Sequence, residues 1–184
     1  MSGVYALGRP TTKRFRELFQ QNVRIAESNR VLDMGCGIGG YRGMFGGVYH
    51  GIDVNPQYIE TARKLHSGMF EAMDCTELKF AENTFDHVVT IATTHHLSDL
   101  QLAQTVRESL RVCNADGCLH IIDAILPMSS RDVFKHFYFR CDRGEFPRRR
   151  KKLVELVGRT GRIIQMQTLT GPLHDTCYLR IRRR

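Results

Sequence analysis

Short apolar segments rich in β-branched residues alternate with amphipathic segments along most of this chain of 184 residues. These segments predict strands, and the near-continuous apolar run at 85–92 suits a strand that is covered on both faces of a sheet. The predicted strands are 30–34, 48–52, 69–73, 85–92, 118–125, 162–169 and 176–182. Apolar residues at helical spacing predict helices at 12–27, 56–65, 98–112, 130–140 and 149–160, with Pro56 opening one helix and Ser98 capping another.

This alternation predicts an α/β fold with a mostly parallel sheet and right-handed crossovers. Only residues 170–175 separate the last two predicted strands, which is too short for a helical crossover, so we expect the final strand to be antiparallel. The length suits one domain. We expect an N-terminal arm and helix at 1–29, followed by the main body at 30–184.

A glycine-rich loop, within the segment VLDMGCGIGG at residues 31–40, follows the first predicted strand. The loop fits two templates. Gly35, Gly37 and Gly40 fit the G-x-G-x-x-G pattern of dinucleotide-binding loops, whereas Asp33 together with Gly35, Gly37 and Gly39 fits D-x-G-x-G-x-G. Glycines remove side chains where a ligand approaches backbone amides, and those amides favour a carboxylate or phosphate. A tight turn without any ligand is the alternative.

Three carboxylates, Asp33, Asp53 and Asp74, lie at the ends of the first three predicted strands. Ligands of open α/β sheets bind outside the carboxyl ends of the strands. An acid after the second strand can accept both hydroxyl groups of a ribose. Asp33 favours the second glycine template, since an acid there could hold a cationic amino group. The chain also lacks room for the substrate domain that dinucleotide enzymes usually carry.

These residues resemble the class I S-adenosylmethionine-dependent methyltransferases, specifically the small ubiquinone-biosynthesis-type branch. VLDMGCGIGG resembles the first motif of that family, and the later motifs follow in order as HGIDVNPQYIETAR, EAMDC, FDHVVTIATTHHLSD and DGCLHIIDAILP. The resemblance extends from about Arg30 to Arg182. It implies a Rossmann-like, doubly wound, seven-stranded sheet and S-adenosylmethionine as the cofactor.

The resemblance also assigns cofactor-binding residues. Asp33, Gly35 and Gly37 would hold the methionine moiety, with Cys36 as a further contact, and Asp53 would bind the ribose hydroxyls. The remaining contacts would come from Val54 and Asn55 beside the adenine, from Asp74 at its amino group with the Cys75 amide beside it, and from Thr93 and His95 after the fourth strand. Two departures, Ile38 in the first motif and the turn at 114–117, remove no group that would bind the cofactor.

A general base is needed only when the methyl acceptor is an alcohol or another weakly acidic group. His95 and His96 follow the fourth strand, and His96 is the better placed to face the acceptor. A structural role for either histidine is an equal alternative.

Several other polar residues have similar alternatives. Asp123, Asp142 and Arg143 line the acceptor pocket or form turns and surface ion pairs. Tyr5 and Arg9 lie on an arm that closes over the site or remains without structure.

The six cysteines contain no C-x-x-C pair, so we expect reduced thiols and no metal site. No apolar run is long enough to span a bilayer, and the first residues lack the pattern of a signal peptide. We therefore expect a cytoplasmic protein. The oligomeric state is left open.

Basic residues exceed acidic residues to give a formal net charge of +8. Much of this excess lies at 148–152 and at the arginine-rich C-terminus. Such runs either bind a polyanion such as RNA or form solvated surface. An N-P-P-[YF] motif, which is common in enzymes that methylate base amines, is absent after the fourth strand. We therefore expect a small or medium-sized acceptor, with nucleic acid and a non-catalytic accessory role as the alternatives.

Overall fold

A seven-stranded β-sheet forms the centre of the protein in its computed structural model, which describes residues 10–127, 132, 135, 139, 144–171 and 174–184. The strands are β1 (Arg30–Met34), β2 (Val48–Asp53), β3 (Met69–Ala72), β4 (Phe85–Ile91), β5 (Cys113–Ile125), β6 (Arg162–Leu169) and β7 (Asp175–Arg182). Their order is β3-β2-β1-β4-β5-β7-β6. Strands β1 to β5 pair in parallel, and β7 is antiparallel to β5 and β6. The predicted α/β fold with an antiparallel last strand is confirmed.

Helices cover both faces of this sheet. Those that the described residues form are α1 (Pro10–Asn22), α2 (Pro56–Leu65), α3 (Asp99–Val112) and α4 (Arg150–Thr160), with short 3-10 turns at Arg42–Met44 and Thr94–His96. One core cluster joins α3 and α4 to side chains such as Leu32, and the other joins α1 and α2 to side chains such as Val31. Neighbouring residues of β1 thus enter different cores, because successive side chains of a strand point to opposite faces.

Local capping interactions fix the starts of α2 and α3. Asn55 accepts a hydrogen bond from the Gln57 amide at 3.0 Å, and Pro56 follows it in the first helical turn. Ser98 and Gln101 form a reciprocal capping box at the start of α3. Both helices therefore begin where the sequence predicts.

The first helix is shorter than its apolar pattern predicts, since it ends at Asn22 and not near residue 27. The Asn22 side chain donates to the Leu18 carbonyl at 2.7 Å and to Gln167 on β6 at 2.9 Å. Beyond it, Ala26 and Asn29 form a turn in which the Ala26 amide donates to Asn29 Oδ1 at 2.8 Å. These local polar contacts compete with helical hydrogen bonding and end the helix.

The turn predicted at 114–117 lies inside β5 and not before it. The β4–β5 ladder passes from Phe85↔Cys113 to His87↔Cys118, so residues 114–117 form a bulge opposite Asp86. Asn114 donates to the Asp86 carboxylate at 2.7 Å. The prediction identified the irregular residues, but it was wrong about their place in the strand.

Arginines of the C-terminus bind backbone carbonyls of the fold. Arg183 donates to the carbonyls of Arg111 at 2.6 Å and Cys113 at 2.7 Å, where α3 ends and its last carbonyls lack helical partners. Part of the basic C-terminus is therefore structural.

Of the predicted helix at 130–140, most residues lie outside the described part of the chain. No helix within the described residues is both long enough and apolar enough to cross a membrane.

A buried polar chain connects β4, β5 and β7 through His120. Its Nε2 lies 3.1 Å from His87 Nδ1, and its Nδ1 lies 3.0 Å from the Tyr178 hydroxyl. Burial, together with the nearby His87 and Arg180, lowers the pKa of His120 well below its ordinary value. The folded protein therefore keeps this ring neutral.

Acidification should destabilise the fold through His120. Below the ordinary histidine pKa of about 6.5, the unfolded chain binds a proton that the folded chain does not bind. The free energy of unfolding therefore decreases as the pH is lowered, by up to about 1.4 kcal/mol per pH unit for this one group. Denaturant unfolding from about pH 7.5 to about pH 5 should show a shallower fall for His120→Leu than for the wild type. Parallel curves would contradict this account.

Candidate functional site

The predicted site residues meet at the carboxyl edge of the parallel strands. In the ladder, Met34 of β1 pairs with Ile52 of β2 and Thr90 of β4, and Ile91 of β4 pairs with Ile122 of β5. The segments that follow these residues therefore emerge side by side. They carry Gly35, Asp53, Thr93 and Asp123.

The glycine loop distinguishes the two sequence templates. Gly35, Gly37 and Gly39 have φ angles of 73°, 54° and 81°, in the left-handed region that favours glycine. Gly40 is outside that region, and a Cβ there would meet nothing within 4 Å. A Cβ at Gly35 would lie 2.5 Å from Thr93. The backbone thus requires the glycines of D-x-G-x-G-x-G, and the loop after β1 packs directly on the segment after β4.

Most amides of this loop donate to the protein itself. The Gly35 and Cys36 amides donate to the Ile52 carbonyl at 2.8 and 2.9 Å, and the Gly39 amide donates to the Cys36 carbonyl at 2.9 Å. The Gly37 amide donates to the Asp53 carboxylate at 2.9 Å. The sequence led us to expect amides directed at a bound anion, and for these four amides that expectation was wrong. A pyrophosphate cradle needs such amides.

Asp53 is held in place by two backbone amides. Gly37 donates to Oδ2, and Asn55 donates to Oδ1 at 2.9 Å. An ionised carboxylate has about four acceptor positions, so two remain for hydroxyl groups. The neighbouring Val54 is 73% exposed, which places an apolar side chain in solvent beside a fixed carboxylate.

Asp74 and Cys75 lie at the end of the adjacent strand. Asp74 is exposed, and its Oδ1 accepts from both the amide and the hydroxyl of Thr76 at 2.8 and 2.7 Å. Cys75 is partly buried, with its Sγ 3.5 Å from the Thr105 hydroxyl. The Asp74 carboxylate therefore has a fixed orientation at this edge, while the Cys75 side chain turns toward α3.

Asp33 carries a carboxyl that is 1% exposed. Its Oδ2 accepts a hydrogen bond from the Tyr49 hydroxyl at 2.8 Å. The pKa of Asp33 is raised to about 7, mainly by burial. The Tyr49 hydrogen bond lowers this pKa, and the nearby Asp53 raises it. Among the described residues, burial, Tyr49 and Asp53 set this pKa, so a cationic group placed beside Asp33 would favour its ionised form.

A second buried carboxylate, Asp123, organises the segment after β4. Its Oδ1 lies 2.7 Å from His95 Nδ1, and its Oδ2 accepts from the His95 amide at 3.1 Å and from the Thr94 hydroxyl. Burial opposes ionisation of Asp123, but His95, these hydrogen bonds and the Ala124 amide outweigh it and lower the pKa. Asp123 is therefore an ionised anchor for this turn.

The two predicted histidines differ in exposure. The His95 side chain is buried, and a Cβ at Gly144 would lie 2.2 Å from its Cδ2, so the segment beginning at Gly144 packs against the ring. His96 is exposed, and its ring centroid lies 4.3 Å from that of His95. An incoming molecule can thus reach His96 more easily than His95.

Arg148 is a site-supporting residue that the sequence analysis placed on the surface. It is 7% exposed, and its guanidinium donates to the Thr94 carbonyl at 2.8 Å, to the Leu97 carbonyl and to Asp99 at 2.9 Å. Lys152 also binds Asp99, at 3.1 Å. The basic run at 148–152 is therefore not a continuous solvated surface, since its first residue fixes the turn that carries His95 and His96.

Two further features of the site were missed by the sequence analysis. Ala92 has a φ of 53°, a strained conformation for a residue with a Cβ, and the segment FDHVVTIATT gives no signal for it. Tyr49 lies in a predicted strand, and no local pattern indicates its contact with Asp33, which is 16 residues away in sequence. Of the other candidates, Tyr5, Arg9, Asp142 and Arg143 lie outside the described residues.

Known proteins with similar sequences are methyltransferases. A family model described as a methyltransferase domain matches residues 31–117. Methyltransferase GfsG of Streptomyces halstedii is 28% identical over 132 residues, which cover 66% of this chain and 47% of the relative. O-methyltransferase cnsE of Penicillium expansum is 31% identical over 107 residues, covering 50% of this chain and 39% of the relative. The chain thus spans less than half the length of these two relatives.

A solved structure with the same fold covers nearly the whole chain. The PH0226 protein of Pyrococcus horikoshii superposes with a TM-score of 0.76 over 97% of this chain and 93% of its own. The sequence identity is 18%, so this likeness concerns the fold.

Replacing Arg148 should destabilise the protein, whereas replacing a neighbour in the same basic run should not. Arg148→Met leaves the buried Thr94 carbonyl without its donor, which should lower the free energy of unfolding by about 2 kcal/mol. Lys151→Met, at an exposed position, should change it by less than about 0.5 kcal/mol. Denaturant titration of both variants measures this difference. Equal stabilities would show that Arg148 is only a surface cation.

Proposed function

We propose that this chain transfers a methyl group from S-adenosylmethionine to an oxygen or nitrogen atom of a small or medium-sized acceptor. The proposal starts from its family, since the chain belongs to the class I S-adenosylmethionine-dependent methyltransferases. One observation carries most weight. Three left-handed glycines bring the loop after β1 to the end of β2, where the Gly37 amide binds the Asp53 carboxylate.

The edge of the sheet suits the parts of this cofactor. Asp53 would accept the ribose hydroxyls, since two amides orient its carboxylate and leave acceptor positions open. The exposed Val54 and the adjacent Asn55 would flank the adenine, and Asp74 with Cys75 would meet its amino group. Gly35, Cys36 and Gly37, packed on Thr93, would line the methionine moiety, and His95 would support this wall from behind.

Asp33 would bind the cationic amino group of the methionine moiety. Its carboxyl is buried, with Tyr49 as its one hydrogen-bond donor in the part of the chain that the structure describes. A buried carboxylate without a cation is unfavourable, so an ammonium group there would offset the cost of desolvation. A pyrophosphate, by contrast, would bring negative charge toward Asp33.

When bound, S-adenosylmethionine supplies a methyl group that its sulfonium already activates. The protein's own residues then have two tasks, to align the acceptor with that group and to exclude water. Asp123 and Arg148 serve alignment because they fix the turn at Thr94–His96 from two sides. A fixed turn holds the wall of the acceptor site in one position.

His96 is the best candidate for a general base, if the acceptor requires one. It is exposed at the carboxyl edge, whereas His95 is buried and bound to Asp123. His95 would then act as a positioning residue. The imidazole of His96 can take a proton from a hydroxyl group as the methyl group is transferred.

A small or medium-sized acceptor is supported by the use of the basic residues. Arg148 and Arg183 bind backbone carbonyls, so part of the positive charge that could contact a polyanion is used within the fold. The name of the relative cnsE, an O-methyltransferase, supports transfer to oxygen for this chain as well.

Cofactor binding should depend on Asp33 and not on Gly40. Asp33→Asn removes the charge while keeping the shape of the side chain. It should weaken binding of S-adenosylhomocysteine at least about tenfold, since a hydrogen bond to a charged group contributes about 1.5 kcal/mol or more. Gly40→Ala should change affinity less than about twofold. Calorimetry measures both. Binding of NAD without S-adenosylhomocysteine would refute the proposed function.

Methyl transfer should depend on His96 when the acceptor is a hydroxyl. A metabolite extract incubated with the protein and S-adenosylmethionine carrying a deuterated methyl group should contain labelled products, detected by mass spectrometry. His96→Ala should lower labelling of the hydroxyl product about 100-fold, with little change in S-adenosylhomocysteine affinity. Full turnover by His96→Ala would exclude His96 as the base, and no labelling by the wild type would favour an accessory role.

A further inference from the structure

The Tyr49 hydroxyl reaches the Asp33 carboxyl diagonally across the β1–β2 ladder. Val31 pairs with Tyr49, and Asp33 pairs with Gly51. Tyr49 and Gly51 are two residues apart, so they lie on the same face of the sheet, as do Val31 and Asp33. The hydroxyl donates to Asp33 Oδ2 at 2.8 Å.

Gly51 makes this diagonal contact possible. A Cβ at residue 51 would lie 2.8 Å from the Tyr49 hydroxyl and 3.0 Å from Cys36 Sγ, closer than such contacts normally allow. The absence of a side chain directly opposite Asp33 therefore leaves room for the Tyr49 hydroxyl.

The Tyr49 ring has little freedom to move away. It stacks on the Phe45 ring with centroids 5.6 Å apart. The Arg42 guanidinium lies over the Tyr49 ring, 4.7 Å from the centroid of that ring. Arg42 is itself fixed by hydrogen bonds to the Ser67 carbonyl at 2.9 Å and the Phe45 carbonyl at 2.7 Å. The hydroxyl is therefore held in one position relative to Asp33.

The charged and titratable groups around Asp33 come from a few elements. Tyr49 and Asp53 face it from β2, Cys36 faces it from the glycine loop, and Arg42 lies behind the Tyr49 ring. Its ladder neighbour on β4 is the apolar Val89. The Tyr49 hydrogen bond lowers the pKa of Asp33, against the larger effect of burial and the added effect of Asp53.

We propose that Tyr49 is a positioning residue for cofactor binding. By holding Oδ2 of Asp33, it orients the carboxylate toward the amino group of S-adenosylmethionine, and it favours the ionised form that binds this cation. The inference rests on the proposed function, because it needs Asp33 to meet that amino group. Tyr49 then sets both the affinity for the cofactor and the pH range over which the site binds it.

The pH dependence follows from the ionisation of Asp33. Below its pKa of about 7 the carboxyl is protonated and binds an ammonium group weakly. Affinity for S-adenosylhomocysteine should therefore rise as the pH increases through about 7. In Tyr49→Phe, the contribution that lowers the pKa is lost, so the midpoint of this rise should move to higher pH.

Calorimetric titrations with two probes test the proposal. S-adenosylhomocysteine carries the amino group, whereas 5′-methylthioadenosine has the same adenosine and sulfur but no amino acid part. At neutral pH, Tyr49→Phe should bind S-adenosylhomocysteine about tenfold more weakly and 5′-methylthioadenosine with nearly unchanged affinity. Titrations from about pH 6 to about pH 8.5 should show the shifted midpoint.

Tyr178→Phe is the matched control. It also removes a buried hydroxyl with a 3.0 Å hydrogen bond, here to His120, and it lies outside the proposed site. This variant should retain the wild-type affinity and midpoint. Thermal unfolding of both variants identifies any general loss of stability, and Gly51→Ala, which displaces the Tyr49 hydroxyl, should reproduce the effect of Tyr49→Phe.

Three outcomes separate the proposals. An unchanged affinity and midpoint in Tyr49→Phe would overturn the role of Tyr49 while leaving the proposed function intact. Equal weakening for both probes would also overturn it, because the effect would then not pass through the amino group. Failure of the folded wild-type protein to bind S-adenosylhomocysteine would refute the proposed function itself.

Discussion

The contact between Gly35 and Thr93 is the constraint on which the rest of the site depends. The loop after β1 and the segment after β4 approach so closely that any Cβ at residue 35 would lie 2.5 Å from the threonine side chain. This approach leaves no room for a side chain at residue 35, beside the carboxyl ends of the paired strands β1 and β4. The same loop places the Gly37 amide on Asp53, and the strained Ala92 backbone precedes the turn that carries both histidines.

Two polar anchors then hold that turn. Asp123 binds the hydroxyl of Thr94 and the amide and ring of His95, and Arg148 binds the carbonyls of Thr94 and Leu97. Because buried polar groups are costly when unpaired, such an arrangement is stable only when all its members are satisfied. Rigidity of the turn and stability of the fold are therefore coupled through Asp123 and Arg148.

The sequence predicted the parts of this structure that depend on local signals. β1, α2 and α3 follow from apolar periodicity, Pro56 and the Ser98 cap, and the antiparallel β7 follows from the short connection at 170–175. The positions of Asp33, Asp53 and Asp74 at strand ends follow from the predicted bounds of β1, β2 and β3. The bulge at 114–117, the burial of Arg148 and the Tyr49–Asp33 contact could not be predicted, since each depends on a partner more than ten residues away in sequence. A run of basic residues looks the same whether its first member is solvated or buried.

Asp33 and Asp123 show why burial alone does not identify a ligand-binding carboxylate. Both are 1% exposed, yet the pKa of Asp33 is raised and that of Asp123 is lowered. The difference lies in their partners. Asp123 has an imidazole, a hydroxyl and two amides, whereas the described residues give Asp33 one hydroxyl. A fully satisfied carboxylate gains little from a further cation, but a carboxylate with a single neutral donor gains much. Of the two, Asp33 is therefore the one whose environment favours a positively charged ligand, and Asp123 is the one that stabilises structure.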